Sequence, residues 1–145
     1  MNTLLISTYE LGHQPLHLAT AASALIAAGH ETRCMDLAIA PWNEADVEWA
    51  EIVGISVPMH TAMRLAEKVA TRVRNTRPKL PIAAFGLYAG IDHHPDLPTS
   101  IDASFAGAYE PNLVAWIDDV SAPLNSASPS VDLERHATRM PVRKL

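Results

Sequence analysis

The stretch TLLISTYELGHQPLHLATAASALIAA, residues 3–28, decides the fold. Residues 3–8 are mostly apolar and predict a buried strand, a polar turn with Gly12 follows, and Pro15 opens a helix. A strand, a short loop and a helix in this order form the first half of a βαβ unit. Ligands of open parallel sheets bind beside such loops, so this loop is the first candidate for function.

Composition limits the class of protein. A chain of 145 residues that is 48% hydrophobic and 19% charged predicts one globular domain with its own core. The net charge of −5 argues against a basic surface for nucleic acid. No apolar run is long enough for a signal peptide or a membrane span, and Cys34 has no second cysteine for a disulfide. We therefore expect a cytoplasmic protein with no membrane partner.

Apolar runs and helical periodicity alternate along the chain. They predict a flavodoxin-like (Rossmann-like) α/β fold, a doubly wound sheet of five parallel strands in the order 2-1-3-4-5. Residues 1–120 form this domain, and the Ser/Pro-rich residues 121–130 and basic residues 131–145 form a linker and tail. The predicted strands are 3–8, 31–36, 51–57, 82–86 and 102–107, and the helices run from 15 to Gly29 and over 44–49, 60–77 and 110–120.

The switch point of this strand order lies between the first and third strands, which places a ligand between residues 9–14 and 58–61. Residues 86–89 and 107–110 complete the same rim. The candidate binding residues are Tyr9, Glu10, Leu11, Gly12, His13, Gln14, Pro58, Met59, His60, Thr61, Gly86, Leu87, Tyr88, Gly107 and Tyr109.

Several chemistries lack their residues at this rim. Neither G-x-G-x-x-G nor G-x-x-x-x-G-K-[ST] is present, which disfavours a phosphate cradle in the first loop. Ser56 and Val57 stand where a phospho-accepting receiver domain needs an aspartate, and no G-x-S-x-G elbow supplies a nucleophile.

Histidines offer an alternative chemistry at the predicted rim. His13 and His17 are four residues apart across the start of a helix, and with His60 they make a conceivable zinc site of a small metal-dependent enzyme. The favoured interpretation is that they are polar rim residues that hydrogen-bond loop backbone or ligand amides. His93 and His94 precede a proline and predict a solvated loop.

Three segments carry a family resemblance that spans residues 4 to about 115. The segments LHLATAASALIAAGHETRCMDL, EIVGISVPMHTAMRLAEKVATRVRNTRPKLPIAAFG and IDASFAGAYEP resemble the cobalamin-binding domain that precedes the barrel of many radical SAM enzymes. STYELGHQPLHLA, SVPMHTAMRLA and FGLYA are most similar to the CUAEP/CCAEP-tail radical SAM subgroup. The resemblance implies a module that holds a corrin at the carboxyl edge of the sheet and has no catalysis of its own.

The resemblance also carries over to individual positions. Ser56, Val57 and Thr61 match the segment that lines the nucleotide tail of cobalamin, and Gly86 matches the first glycine of a Gly-Gly turn whose second position is Leu87 here. The motif D-x-H-x-x-G, whose histidine binds cobalt in mutases and methyltransferases, is replaced by YELGHQ. No residue is therefore assigned as cobalt ligand. We expect His13 to bond a corrin amide or loop backbone, and added bulk at Gly86 to meet the ligand.

The iron–sulfur chemistry of radical SAM enzymes must come from elsewhere. Their C-x-x-x-C-x-x-C loop needs three cysteines, and this chain has only Cys34. The cluster and S-adenosylmethionine are therefore expected in a missing barrel domain, supplied in cis or in trans. LERHA, residues 133–137, resembles the segment that leads into that barrel. The second interpretation is a docking or regulatory module of the same fold without cofactor.

Overall fold

The structure is a computed structural model that describes residues 1–90 and 100–120, together with the backbone of residues 130–132. The strands are β1 (Asn2–Ser7), β2 (Glu31–Asp36), β3 (Ile52–Ser56), β4 (Ile82–Phe85), β5 (Ala103–Gly107) and β6 (Ser130–Asp132), and the helices are α1 (Leu16–Ala27), α2 (Glu44–Trp49), α3 (His60–Thr76) and α4 (Glu110–Asp118). Strands and helices alternate along the chain from β1 to β4.

All described strand pairs are parallel, and the sheet order is β2-β1-β3-β4-β5-β6. This confirms the predicted flavodoxin-like fold with the order 2-1-3-4-5. It also confirms β2 as an edge strand of the described sheet, which explains its alternation of polar and apolar residues. The short strand β6, next to β5, was not predicted and lies within the segment interpreted as linker and tail. Residues 121–129 and 133–145 of that segment lie outside the described residues.

Two apolar cores cover the two faces of the sheet. Leu4 and Ile6 of β1 pack in the core that contains the inward face of α3, whereas Leu5 packs in the core beneath α1 and α4. Successive side chains of a strand point to opposite faces, so β1 contributes to both cores. The strands β3 and β4 are buried along their whole length, as expected for strands covered by helices on both sides.

Local signals explain where the helices begin and end. The side chain of Asn43 caps α2 by accepting the N–H of Ala45 at 3.1 Å. The helix α3 buries an apolar face that includes Ala66 and Val73, as its periodicity predicted. After α1, Gly29 has a φ of +92°, the left-handed conformation that commonly ends a helix.

Cys34 lies in β2, as predicted, and is partly buried beside the core under α1. Burial raises the pKa of its thiol to about 12. The thiol is therefore protonated at neutral pH and is a poor nucleophile. Cys34 acts as a small packing residue. None of the helices in the described residues combines the length and the apolar character that crossing a membrane requires.

Candidate functional site

Four of the loops at the carboxyl edge of the sheet carry the predicted site residues. They follow β1, β3, β4 and β5, and because these strands are parallel their carboxyl ends lie on the same side. The predicted site residues all belong to these loops or to the strand and helix ends next to them. The neighbouring strands β1 and β3 continue into α1 and α3, which pack on opposite faces of the sheet. This divergence is the switch point where doubly wound sheets bind ligands.

The first loop makes a tight turn that exposes its apolar tip. The N–H of His13 donates to the carbonyl of Glu10 at 2.9 Å, and the two central residues, Leu11 and Gly12, have φ values of +52° and +76°. A leucine in the left-handed conformation costs about 1 kcal/mol. Leu11 is 64% exposed, and His13 and Gln14 are exposed as well. The turn therefore holds an apolar side chain in solvent above the sheet.

Glu10 folds back onto the start of α1. Its Oε2 accepts the N–H of Leu16 at 3.1 Å, a donor that the helix itself leaves unpaired. Its Oε1 is buried and has no hydrogen-bond partner in the described part of the chain. Burial raises the pKa of Glu10, the negative charge of Asp36 raises it further, and backbone N–H donors at Leu16 and His17 oppose the shift. The carboxylate occupies the helix end where an anionic ligand group would otherwise bind.

The loop after β3 begins in the core and ends in solvent. Ser56 and Val57 are fully buried, Pro58 and Met59 are partly buried, and the side chains of His60 and Thr61, the first residues of α3, are exposed. The buried Oγ of Ser56 has no hydrogen-bond partner among the residues that the structure describes. The same holds for Oγ1 of Thr8, directly after β1. Two unpartnered hydroxyls thus flank the switch point.

The loop after β4 is bonded to the loop after β3. The N–H of Tyr88 donates to the carbonyl of Val57 at 3.1 Å, while Leu87 is 57% exposed. Gly86 has a φ of +121°, and a Cβ added there would lie 2.8 Å from the carbonyl oxygen of Val57. The expectation that bulk at Gly86 would meet ligand is therefore wrong. The glycine is required by the backbone of the neighbouring loop.

Tyr109 lies in the core and not in an open pocket wall. It is 3% exposed, and its ring packs 5.0 Å from that of Phe85 at a tilted angle. Its hydroxyl is 2.7 Å from Oγ1 of Thr20 and donates to the carbonyl of His17 at 3.0 Å. Burial raises the pKa of Tyr109, so the hydroxyl stays protonated. Tyr109 therefore joins α4 to α1, and Gly107, with a φ of +73°, turns the chain toward it.

The histidine site considered as the alternative chemistry does not form among the described residues. The described residues contain no group of three His, Cys, Asp or Glu side chains placed to hold a metal ion. The side chains of His13 and His60 are exposed, whereas His17 is partly buried with its ring 6.0 Å from that of Tyr109. Burial lowers the pKa of His17, and the charge of Glu110 opposes this shift. His93 and His94 lie outside the described residues.

Exposed apolar side chains concentrate at the carboxyl edge. Four of them stand in the loop after β1, at the start of α1 and in the loop after β4, and we call them the apolar rim. Its members are Tyr9, Leu11, Leu16 and Leu87, which are 37%, 64%, 57% and 57% exposed. A sequence pattern does not reveal this feature, because exposure of an apolar loop residue depends on how the loop folds.

Sequence reasoning missed a cavity on the β2 side of the first loop. It has a volume of about 660 Å³ and lies between the start of α1, the end of β2, the segment that leads into α2 and the first turn of α2. Gln14 is the one predicted site residue among those that line it. The lining residues are Gln14, Pro15, Leu18, Cys34, Met35, Asp36, Ile39, Ala40, Pro41, Trp42, Asn43, Glu44, Ala45 and Asp46. In the sequence, the loop APWN, residues 40–43, belongs to this cavity, but its composition predicts only a loop.

Comparison of the chain with protein-family models and with curated proteins gives no match. The fold and the site geometry therefore carry the functional argument together with the resemblance of the loop segments.

Proposed function

We propose that this chain is the cobalamin-binding module of a radical SAM-type enzyme. It holds the corrin at the carboxyl edge of the sheet and has no catalysis of its own. The fold supports the proposal, because the loops after β1 and β3 diverge at a switch point, where ligands of such sheets bind. The residues proposed to contact the cofactor are the predicted rim residues, with Tyr109 in a supporting position because its hydroxyl is already bonded inside the core.

The buried hydroxyl of Ser56 carries this proposal. Ser56 is the last residue of β3, is fully buried, and leaves its Oγ without a partner in the described residues. A buried polar group without a hydrogen bond costs about 1–3 kcal/mol, so native structures seldom keep one without a reason. A polar group of a ligand that enters between the loops after β1 and β3 would satisfy it. Thr8, with its own unpartnered Oγ1, lies at the neighbouring strand end.

The apolar rim suits a large flat cofactor. Leu11 and Leu87 project into solvent from two loops at the same edge of the sheet. A ligand that covers these side chains removes their apolar surface from water, which favours binding. A face-on macrocycle covers several at once, which a small polar metabolite does not. The partly buried Met59 adds a polarisable side chain next to this rim.

The cofactor and its partner divide the chemistry. Cobalamin, when bound, supplies the reactivity of its cobalt, while this chain binds and orients the corrin. The iron–sulfur cluster and S-adenosylmethionine are proposed to reside in a radical SAM barrel, in cis or in trans, because a single cysteine cannot supply the cluster's ligands.

The test is retention of hydroxocobalamin by the purified chain. After incubation and gel filtration, we expect a corrin absorbance spectrum to coelute with the protein. Leu87→Asp should abolish coelution, because it places a charge on the apolar rim. Ile26→Asp is the matched control, since Ile26 is 49% exposed near the opposite end of α1. Absence of a retained spectrum at high micromolar ligand would instead support the cofactor-free docking or regulatory module.

A further inference from the structure

The cavity beside β2 is separate from the switch point, and we consider it as a second ligand site. Its volume of about 660 Å³ falls within the range of small-molecule sites. Among its lining residues, only Gln14 and Pro15 come from the loop after β1, and none comes from the loops after β3, β4 or β5. A molecule bound here would lie on the outer side of β1, next to the edge strand.

The cavity has an apolar floor and an apolar mouth. Leu18 of α1 and Met35 of β2 are buried and form the floor. Ile39 is 85% exposed, the highest value among the large apolar side chains of the described residues. An isoleucine this exposed at the mouth of a cavity gains from any ligand whose apolar body covers it.

Three carboxylates line the cavity, and two of them accept hydrogen bonds from other side chains. Asp46 accepts from Arg33 and Asn43, both at 2.9 Å. Glu44 accepts from Nε1 of Trp42 at 2.6 Å and from the hydroxyl of Thr76 at 2.7 Å. These four contacts fix the first turn of α2. They leave Asp36 as the carboxylate available to a ligand.

Asp36 stands at the carboxyl end of β2. Its Oδ1 accepts the N–H of Ala38 at 3.0 Å, and no ion pair to it forms within the described residues. Glu10 is close enough for its pKa to be raised by the charge of Asp36, in addition to the larger effect of burial. Within the part of the chain that the structure describes, no lysine or arginine lines the cavity. Arg33 and Arg72 contact residues that line the cavity but do not line it themselves. Arg33 forms an ion pair with Asp46, and the guanidinium carbon of Arg72 lies 4.3 Å from the centroid of the Trp42 ring.

The charges and the helix end together exclude an anionic ligand. The N-terminus of α1, which could bind a phosphate, is occupied by the carboxylate of Glu10 and has Pro15 as its N-cap residue. We infer that the cavity binds a small organic cation, an amine or amidinium on an apolar body, with Asp36 as counter-charge and Ile39 covering the apolar part. A charge-assisted hydrogen bond from the ligand would give Asp36 the cationic partner that the described residues do not supply.

Phenethylamine and phenylacetate test this inference, because they share a phenyl body and differ in charge. Calorimetric titration of the full chain without cobalamin should show saturable binding of phenethylamine and at least about tenfold weaker binding of phenylacetate. Asp36→Asn should weaken phenethylamine binding about tenfold, since the amide still accepts the N–H of Ala38 but carries no charge. Asp119→Asn, an exposed position after α4, should leave it unchanged.

A second variant keeps the test independent of the turn at Asp36. Ile39→Ser removes the apolar mouth at a position that is almost fully exposed, so folding should be unaffected and both ligands should bind more weakly. Equal binding of amine and carboxylate, or full affinity of both variants for phenethylamine, would overturn the inference. Because cobalamin is absent from this experiment, its failure would leave the corrin proposal untouched.

Discussion

Ser7 and Ser56, the last residues of β1 and β3, are direct partners in the sheet, and both are buried. Directly beyond them the chain turns to opposite faces, into α1 and α3. The carbonyl of Ser7 also accepts the N–H of Leu37 at 2.9 Å, which ties the loop after β2 to the same point. This pair therefore lies at the base of the proposed corrin site on one side and close to the cavity beside β2 on the other.

Ser56→Ala separates a ligand contact from a structural role. Loss of a buried hydroxyl that has no partner should stabilise the ligand-free chain by up to about 1 kcal/mol, measured by urea unfolding. The same change should weaken hydroxocobalamin binding about fivefold, because one neutral hydrogen bond to the ligand is lost.

Thr3→Val is the matched control for this variant. Thr3 is also buried with an unpartnered Oγ1, but it lies near the amino end of β1, away from the rim. Its loss should affect stability in the same direction without affecting corrin binding. If Ser56→Ala lowers stability as well as affinity, the hydroxyl is part of the folded framework and the proposed contact is wrong.

Gly86→Ala should destabilise the fold, whatever ligand binds. The residue has a φ of +121°, and the new Cβ would press on the carbonyl of Val57, which accepts the N–H of Tyr88. We expect a loss of at least about 2 kcal/mol in the free energy of unfolding. Gly12→Ala is the control, because its φ is +76° but no atom lies within 4 Å of the added Cβ. It should cost only about 1 kcal/mol. Equal losses would show that conformation alone, without the contact to Val57, determines the cost.

Tyr109→Phe tests the link between α4 and α1. The hydroxyl bonds both Thr20 and the carbonyl of His17, so its removal should cost about 1–2 kcal/mol in urea unfolding. Tyr9→Phe, in the exposed first loop, should be within about 0.5 kcal/mol of the parent protein. Unchanged stability of Tyr109→Phe would mean that Thr20 and His17 satisfy each other without the tyrosine.

Local patterns predicted the elements well, whereas long-range contacts determined the details of the site. The observed bounds of β2 and α2 agree with prediction, because the signals that set them are local. Polar and apolar residues alternate within β2 itself, and Asn43 caps α2 from the position directly before it. The role of Tyr109 depends on partners 89 and 92 residues away, and periodicity carries no such information. The clash at Gly86 likewise depends on how the loop after β3 crosses it. The three residues of β6 are too few to show a period.

The cavity was missed for a related reason. Its residues come from the first loop, α1, β2, the segment before α2 and the first turn of α2, and each looks ordinary within its own stretch. Asp36 reads as the polar end of an edge strand, and Trp42 as a loop aromatic. Only the packing of α1 beside the end of β2 brings these groups around one space.

Glu10→Gln should raise stability at neutral pH, with a gain that depends on pH. Folding raises the pKa of Glu10, chiefly through burial. The protonated side chain therefore contributes to stability below the unfolded pKa of about 4.3, and this contribution is lost as the pH rises through the folded pKa. Glutamine keeps an acceptor for the N–H of Leu16 but does not ionise. The difference in urea midpoint between variant and parent should therefore be small at pH 3 and grow toward pH 7. Glu48→Gln, an exposed change on α2, should show no such growth. A variant less stable than the parent at pH 7 would show that the charge at the α1 terminus outweighs the cost of burying it.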